Sequence, residues 1–201
     1  MNTPLNVVEI FDSIQGEGID TDKMMTFVRL AGCNLSCAFC DTEFSKGTLM
    51  TEKGIVAKCS KAVVLTGGEP LTQDIYSLAR SLWNDVYLAL ETNGTIELND
   101  EHACLYSSIS LSPKVPFAKC KIKSCDSLKI LFPYFRGITP VDYACMDAQY
   151  KSLQVIDPVL PNGEPNVSRI NEAMEELKRL DSIGLYGWRL GIQLHKFIGV
   201  K

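Results

Sequence analysis

The chain has 201 residues, 46% hydrophobic and 22% charged, with a net charge of -4. It is long enough to bury a sizeable core as one domain over residues 1–201. No apolar run reaches the roughly 18 to 20 residues that span a bilayer, and the excess of acid argues against a broad electropositive face for nucleic acid, so a small-molecule substrate is expected.

The opening "MNTPLNVVEIFDS" lacks the basic segment and apolar core of a secretory leader, so a cytoplasmic location is expected. In a reducing compartment the eight cysteines are more often ligands, nucleophiles or buried thiols than disulfides. In chain order, "LNVVEIFDSIQGEG" predicts a short strand ending in a glycine-bounded turn, and "MTFVRLAG" a second strand that delivers the chain to Cys33. Next, "AVVLTGGEP" is an apolar run into a turn, and "LTQDIYSLARSLWND" has helical apolar spacing. "VYLALETNGTI" and "SSISLSPK" read as strands running into Asn-Gly and Ser-Pro loops. The basic stretch "AKCKIKSC", residues 118–125, reads as a solvated surface loop.

"SLKILFPY" and "SLQVIDPVLPNG" predict two further strands. "NVSRINEAMEELKRL" predicts a helix with Asn166 or Ser168 as N-cap and Ile170, Met174 and Leu177 on its apolar face. "LYGWRLGIQLHKFIGVK" predicts a last strand and a short tail. Strands alternating with helices imply an α/β fold with a parallel sheet, and polar loops at strand C-termini are the layout of barrel-type active sites. The helices are too few for a full eightfold barrel, which takes about 250 residues.

"AGCNLSCAFCDT" puts Cys33, Cys37 and Cys40 within ten residues. Structural zinc wants four protein ligands, whereas three thiolates on a four-iron cluster leave one iron open to a cofactor. A zinc site completed by a remote ligand, in a non-catalytic interaction module, is the bland alternative. The spacing C-x3-C-x2-C, with Gly32 before it and Phe39 inside it, resembles the signature of radical S-adenosylmethionine (SAM) enzymes. "TGGEP" at residues 66–70 resembles the same superfamily's SAM loop. Adjacent glycines admit close backbone approach, and Glu69 can accept from an ammonium.

Further motifs, "EIFDSIQGEG", "FVRLAGCNLSCAFCDT", "TGGEPL", "ETNGT", "SPK" and "QLHK", stand in the order found in the 7-carboxy-7-deazaguanine synthase family. The resemblance runs through nearly the full length. It implies a reduced, incomplete (β/α) barrel of the radical SAM type with a mostly parallel sheet, working as a homodimer. It also implies a [4Fe-4S] cluster, SAM, Mg2+ and a flavodoxin- or ferredoxin-type electron donor. The implied reaction converts 6-carboxy-5,6,7,8-tetrahydropterin to 7-carboxy-7-deazaguanine with loss of ammonia, through a 5'-deoxyadenosyl radical. A radical SAM activating enzyme working on a partner protein is the nearer alternative, and "SIQGEG" with "QLHK" speaks against it.

Residue by residue, the resemblance assigns Cys33, Cys37 and Cys40 to the cluster and the Thr42 hydroxyl to magnesium. Ile14, Gln15 and Gly16 would meet substrate largely through backbone, with Glu17 accepting from the pterin edge and Arg29 taking the substrate carboxylate. Thr92, His195 and Lys201, through its terminal carboxylate, would also face substrate. SAM would lie against Phe39, Cys40 and Asp41 beside the cluster, against Gly67, Gly68 and Glu69, against Gly94, and against Ser112, Pro113 and Lys114. Two departures from the family pattern stand out. The cluster loop has the short spacing rather than an expanded one, so magnesium dependence is expected to differ in degree, and Asp157-Pro158 stands in for a Gln-Pro at the later SAM loop. Cys59, Cys104, Cys120, Cys125 and Cys145 match no ligand position and read as spare thiols.

Overall fold

The computed structural model describes residues 3–201. One sheet of nine strands runs through it, in the order β3-β1-β2-β4-β5-β6-β7-β8-β9. The strands are β1 (Leu5–Ile14), β2 (Met24–Leu30), β3 (Thr48–Met50), β4 (Ala62–Gly67), β5 (Tyr87–Thr92), β6 (Ser108–Leu111), β7 (Ser124–Phe132), β8 (Asp147–Val155) and β9 (Trp188–Gly191). β1 pairs antiparallel with β2 and β3, and every other pairing is parallel. β3 and β9 are free edges, so the barrel is open as well as short.

The helices are α1 (Glu52–Val56), α2 (Tyr76–Leu82), α3 (Asp100–Ala103), α4 (Val167–Ser182) and α5 (Leu194–Ile198). Apolar side chains from one face of the sheet pack in two main clusters. One joins Val28, Leu30, Val63, Leu65, Leu88 and Leu90 to Ile75, Leu78 and Leu82 around α2. The other joins Leu111, Leu128, Ile130 and Leu153 to Ala173 and Leu180 of α4. Buried polar groups distributed over the strands, Thr26, Thr66, Ser108, Ser127, Lys129, Ser152 and Gln154, form a polar interior that a purely structural sheet would not need.

α4 starts at Asn166, whose side chain accepts from the Arg169 amide. It stops where Gly184, at φ +82°, reverses the chain; Leu185 N and Gly184 N donate to Leu180 O and Asp181 O, a Schellman closure. Its buried positions are Ala173 and Leu180, with Ile170 and Leu177 beside them, whereas Met174, expected on the apolar face, is exposed. Two other expectations need correction. The tail after β9 folds as α5, and the stretch 118–125 is not wholly solvated, because Cys120, Ile122 and Cys125 enter the core. The short β3, α1 and α3 were not anticipated.

Candidate active site

The loops after β2, β4, β5, β6 and β8, all at strand C-termini, converge on one side of the sheet. Leu30 of β2 pairs with Gly67 of β4, which brings the cysteine loop and the Gly-Gly turn together. A Cβ on Gly67, at φ +142°, would lie 2.2 Å from Leu30 O, and one on Gly68 would lie 2.2 Å from Gly32 O and 2.8 Å from the Cβ of Cys33. Only glycine fits at either position. Glu69 is fully buried behind them. Its carboxylate accepts from Asn93 N at 2.7 Å, Thr92 Oγ1 at 3.0 Å and Leu71 N at 3.2 Å, so it brackets the β4 and β5 loops.

The cysteine loop itself is thinly bonded. Gly32 N donates to Phe44 O at 2.9 Å and Cys40 N to Cys37 O at 3.1 Å. Asn34 Nδ2 donates to Thr95 Oγ1 at 2.7 Å and Asn34 Oδ1 accepts from Asn93 Nδ2 at 3.1 Å, tying the loop to the end of β5. All three thiols are free, with Cys40 exposed. Burial pushes the Cys33 thiol up, and the neighbouring charges of Glu69, Cys37 and Cys40 add to it.

Beside this loop lies a cavity of about 490 Å³, the size of a small-molecule site. Among the expected residues, Ile14, Gln15, Glu17, Arg29, Thr92, His195 and Lys201 line it, together with Asp41, Thr42, Gly67, Gly68, Ser112 and Lys114. Gly16 lies just behind: a Cβ there would sit 2.0 Å from Nδ1 of His195, and Leu194 N donates to Gly16 O at 3.0 Å. A smaller adjoining cavity of about 160 Å³ is lined by Phe39 and Asp157 and shares Glu17, Asp41, Ser112 and Lys114. Cys40, Glu69, Gly94 and Pro113 line neither. The carbonyl of Gly94 accepts from Lys121 N at 2.8 Å, and a Cβ on it would meet Leu111 and Cys120.

The floor is a charge network of one buried lysine and two half-buried carboxylates that the sequence did not announce. Lys129 Nζ donates to Glu17 at 2.8 Å and to Glu91 at 3.3 Å; Glu91 also accepts from Thr66 Oγ1 at 2.7 Å and Gln15 Nε2 at 3.3 Å. Burial opposes charge on Glu91, yet Lys129 and these hydrogen bonds outweigh it and hold the carboxyl below its usual range. Burial likewise opposes charge on Lys129, and the two carboxylates overcome it and raise its pKa. Lys114 has no such support. Its ammonium donates to Ser112 O and Oγ, and burial, helped by the like charge of Lys129, pushes its pKa down to about 8. His195 is kept toward neutral, first by burial.

Arg29 stands at the opposite wall, with Nη1 2.9 Å from Glu9 and its buried Nε unpartnered. Phe11 and Phe27 stack at 5.1 Å beneath it. Lys196 of α5 pairs with Asp41 of the cysteine loop, bringing the chain after β9 to the chain after β2. Phe11, Phe27, Thr66, Glu91, Asn93, Lys129, Gln193 and Lys196 were not singled out from sequence; the available signal was a charged residue inside an apolar strand, as in "LALET" and "SLKILF".

The donor set suits an iron-sulfur cluster with a bound organic cofactor. Three thiols in one loop would leave a tetrahedral zinc without its usual fourth protein ligand, whereas on a four-iron cluster they leave one iron open to a cofactor. Gln154, 4% exposed, reaches the smaller cavity with both amide nitrogen and oxygen unpartnered, an unmet hydrogen-bonding capacity that a ligand there would satisfy.

A mostly parallel open sheet, a three-thiolate loop after its first parallel strand and a Gly-Gly turn packed on that loop define a radical SAM enzyme. No protein-family model matches the chain. It is 35% identical to the 7-carboxy-7-deazaguanine synthase of Bacteroides thetaiotaomicron, over 96% of this chain and 97% of that one. It is 34% identical to that of Rickettsia prowazekii, over 99% and 90%, and 31% identical to that of Haemophilus influenzae, over 98% and 94%. The crystal structure of QueE from Escherichia coli shares the fold with a TM-score of 0.68 at 22% identity, over 96% of this chain and 95% of that one. The chain belongs to the 7-carboxy-7-deazaguanine synthase family.

Proposed function

We propose that the protein converts 6-carboxy-5,6,7,8-tetrahydropterin to 7-carboxy-7-deazaguanine with loss of ammonia, and that residues 1–201 work as one domain. The observation that carries this beyond family membership is the single cavity joining the Gly67-Gly68 turn, packed on the cysteine loop, to a carboxylate-bearing floor and an arginine wall. Cys33, Cys37 and Cys40 would hold the cluster, with SAM against Gly67, Gly68, Phe39, Ser112, Lys114 and the orphan amide of Gln154. When bound, these groups supply a hydrogen-abstracting radical.

The chain's own residues orient the substrate. Glu17, held by Lys129, is an acceptor-only group suited to the donor edge of a 2-amino pyrimidinone ring. Gln15 supplies an amide beside it, and Ile14 and Gly16 offer backbone. Arg29, on the cavity wall with its Nε unpartnered, would take the substrate carboxylate while Glu9 steadies the other end of its guanidinium. Thr42, on the cavity wall, contributes a hydroxyl that with the substrate carboxylate would complete a magnesium site. Thr92 and the near-neutral His195 close the ring's remaining edges. Homodimerisation, a flavodoxin- or ferredoxin-type donor and a cytoplasmic location complete the proposal; no helix among the described residues is long and apolar enough to cross a membrane.

The test is an anaerobic incubation of iron-reconstituted protein with dithionite, SAM, magnesium and the carboxytetrahydropterin, read by mass spectrometry. The deazaguanine should form and should vanish in Cys37→Ala. Cleavage of SAM with an untouched pterin would overturn the substrate assignment.

A further inference from the structure

The basic stretch is left over from this reading. Between residues 112 and 125 the chain carries four lysines and no acid, in a molecule of net charge -4. From 119 to 123 the side chains alternate: Cys120 and Ile122 are 1% and 3% exposed and anchor in the core, while Lys119, Lys121 and Lys123 all face solvent. Burial of the even positions thus fixes three cations on one outward ridge.

That ridge is joined to the cysteine loop. Lys121 N donates to Gly94 O at 2.8 Å, and the adjacent Thr95 accepts from Asn34 Nδ2 at 2.7 Å, one residue from Cys33. Across the loop, exposed Arg136 lies over Phe135 at 4.9 Å, and Phe135 meets Phe39 edge-on at 4.7 Å, beside Cys40. Nearby acids are committed. Asp41 is paired with Lys196, Asp126 accepts from Ile109 N and Gln149 Nε2, and Glu43 accepts from Ser45 N. Lys123 donates only to a backbone carbonyl, that of Cys120, so the ridge keeps its charge available.

We propose that Lys119, Lys121 and Lys123 form the docking ridge for an acidic one-electron carrier of the flavodoxin type, seated over the cysteine loop. A row of unneutralised cations joined to the cysteine loop steers and orients an acidic partner without a large apolar patch. Nucleic acid fits less well, because the residues alternating with the lysines are a cysteine and an isoleucine turned inward, with no ring on which a base could stack. In the step this serves, the carrier's anionic flavin hydroquinone loses one electron and becomes the neutral semiquinone without a proton change. The electron would pass to the cluster that Cys33, Cys37 and Cys40 would hold, a [4Fe-4S] centre going from 2+ to 1+. The proposal rests on the radical SAM reading of that centre.

The experiment measures binding of a purified flavodoxin to the reconstituted holoprotein by titration at several ionic strengths. The variant K119E/K121E/K123E should bind about tenfold more weakly at low salt with a flattened salt dependence. The charge-matched K53E/K58E/K61E, around α1 and the start of β4, should stay within about twofold of the parent. Dithionite-driven SAM cleavage should be unchanged in both, since neither set lines a cavity. Should the reversal variant lose its fold, K119Q/K121Q/K123Q should still weaken binding by about threefold. Parent-like flavodoxin affinity in the ridge variants overturns the proposal, as does a parent that ignores flavodoxin and binds single-stranded RNA. If the binding pattern holds but dithionite-reduced protein leaves the pterin unchanged, the ridge stands and the proposed substrate falls.

Discussion

The cavity's floor and the cysteine loop beside it are built on opposite terms. The floor comes from strands and from a loop folded against them: Glu91, Thr66 and Lys129 sit on β5, β4 and β7, and Gln15 and Glu17 reach in to meet them, so that every charge has a partner. The cysteine loop beside it has three backbone hydrogen bonds, Gly32 N to Phe44 O, Glu69 N to Gly32 O and Cys40 N to Cys37 O, with side-chain ties through Asn34 and Asp41 and mostly exposed or half-buried residues. The substrate side is prepaid in folding energy, and the metal side is left adaptable, as a group that must accept a large inorganic ligand requires. Substitutions on the floor should therefore cost stability first, and those in the loop should cost metal first.

The sharpest break is Lys129→Met, which would leave the half-buried Glu17 and Glu91 without their cation. A loss of about 3 kcal/mol, the low end for breaking a buried pair because both carboxylates keep some solvent, is expected in chemical denaturation, with part of it recovered in Lys129→Met/Glu91→Gln. The same network sets an acid limit. Because the Glu91 carboxyl titrates lower in the folded protein than its usual 4.5, its stabilisation is present above that value and should fade as pH falls below it, measurable as a declining midpoint of denaturation.

Gly68→Ala comes next. Its methyl would press into Gly32 O and Cys33 Cβ, and we expect about 1–3 kcal/mol of destabilisation with a clear drop in iron bound per chain. Lys114 sharpens the comparison from the other direction. With its pKa pushed down to about 8, the folded state resists protonating it, so stability should rise as pH climbs from about 8 toward 10.5. Lys114→Met should gain about 1 kcal/mol at pH 7 while weakening SAM binding. At the small end, Cys37→Ala should change stability by under about 0.5 kcal/mol and abolish the iron-sulfur absorption. Equal stability losses for Lys129→Met and Cys37→Ala would erase the distinction between the floor and the loop.

The loop was almost wholly legible in the sequence and the floor was not, for one physical reason. Cys33, Cys37 and Cys40 are neighbours in the chain, and spacing alone reports them. Glu91 and Lys129 become neighbours only through strand order, because β6 lies between β5 and β7 and the sheet must turn its polar face inward to bring them together. Glu91 opens "ETNGT", but the signal it carries is a charge in an otherwise apolar strand, separate from the glycine turn that follows it. Glu69 shows the converse. Its motif was legible, but the bracket it forms across Thr92 and Asn93 depends on two loops meeting. Gln154 was readable only as a strand residue until its unpartnered amide appeared beside the smaller cavity.

The ion pair between Asp41 and Lys196 joins positions 155 residues apart. On a ribosome moving at 5–20 residues per second, Lys196 follows Asp41 by roughly 8–30 s. Throughout that interval the three thiols are already made while α5, which closes the cavity against them, does not yet exist. Metal delivered early would meet bare cysteines able to take any soft ion.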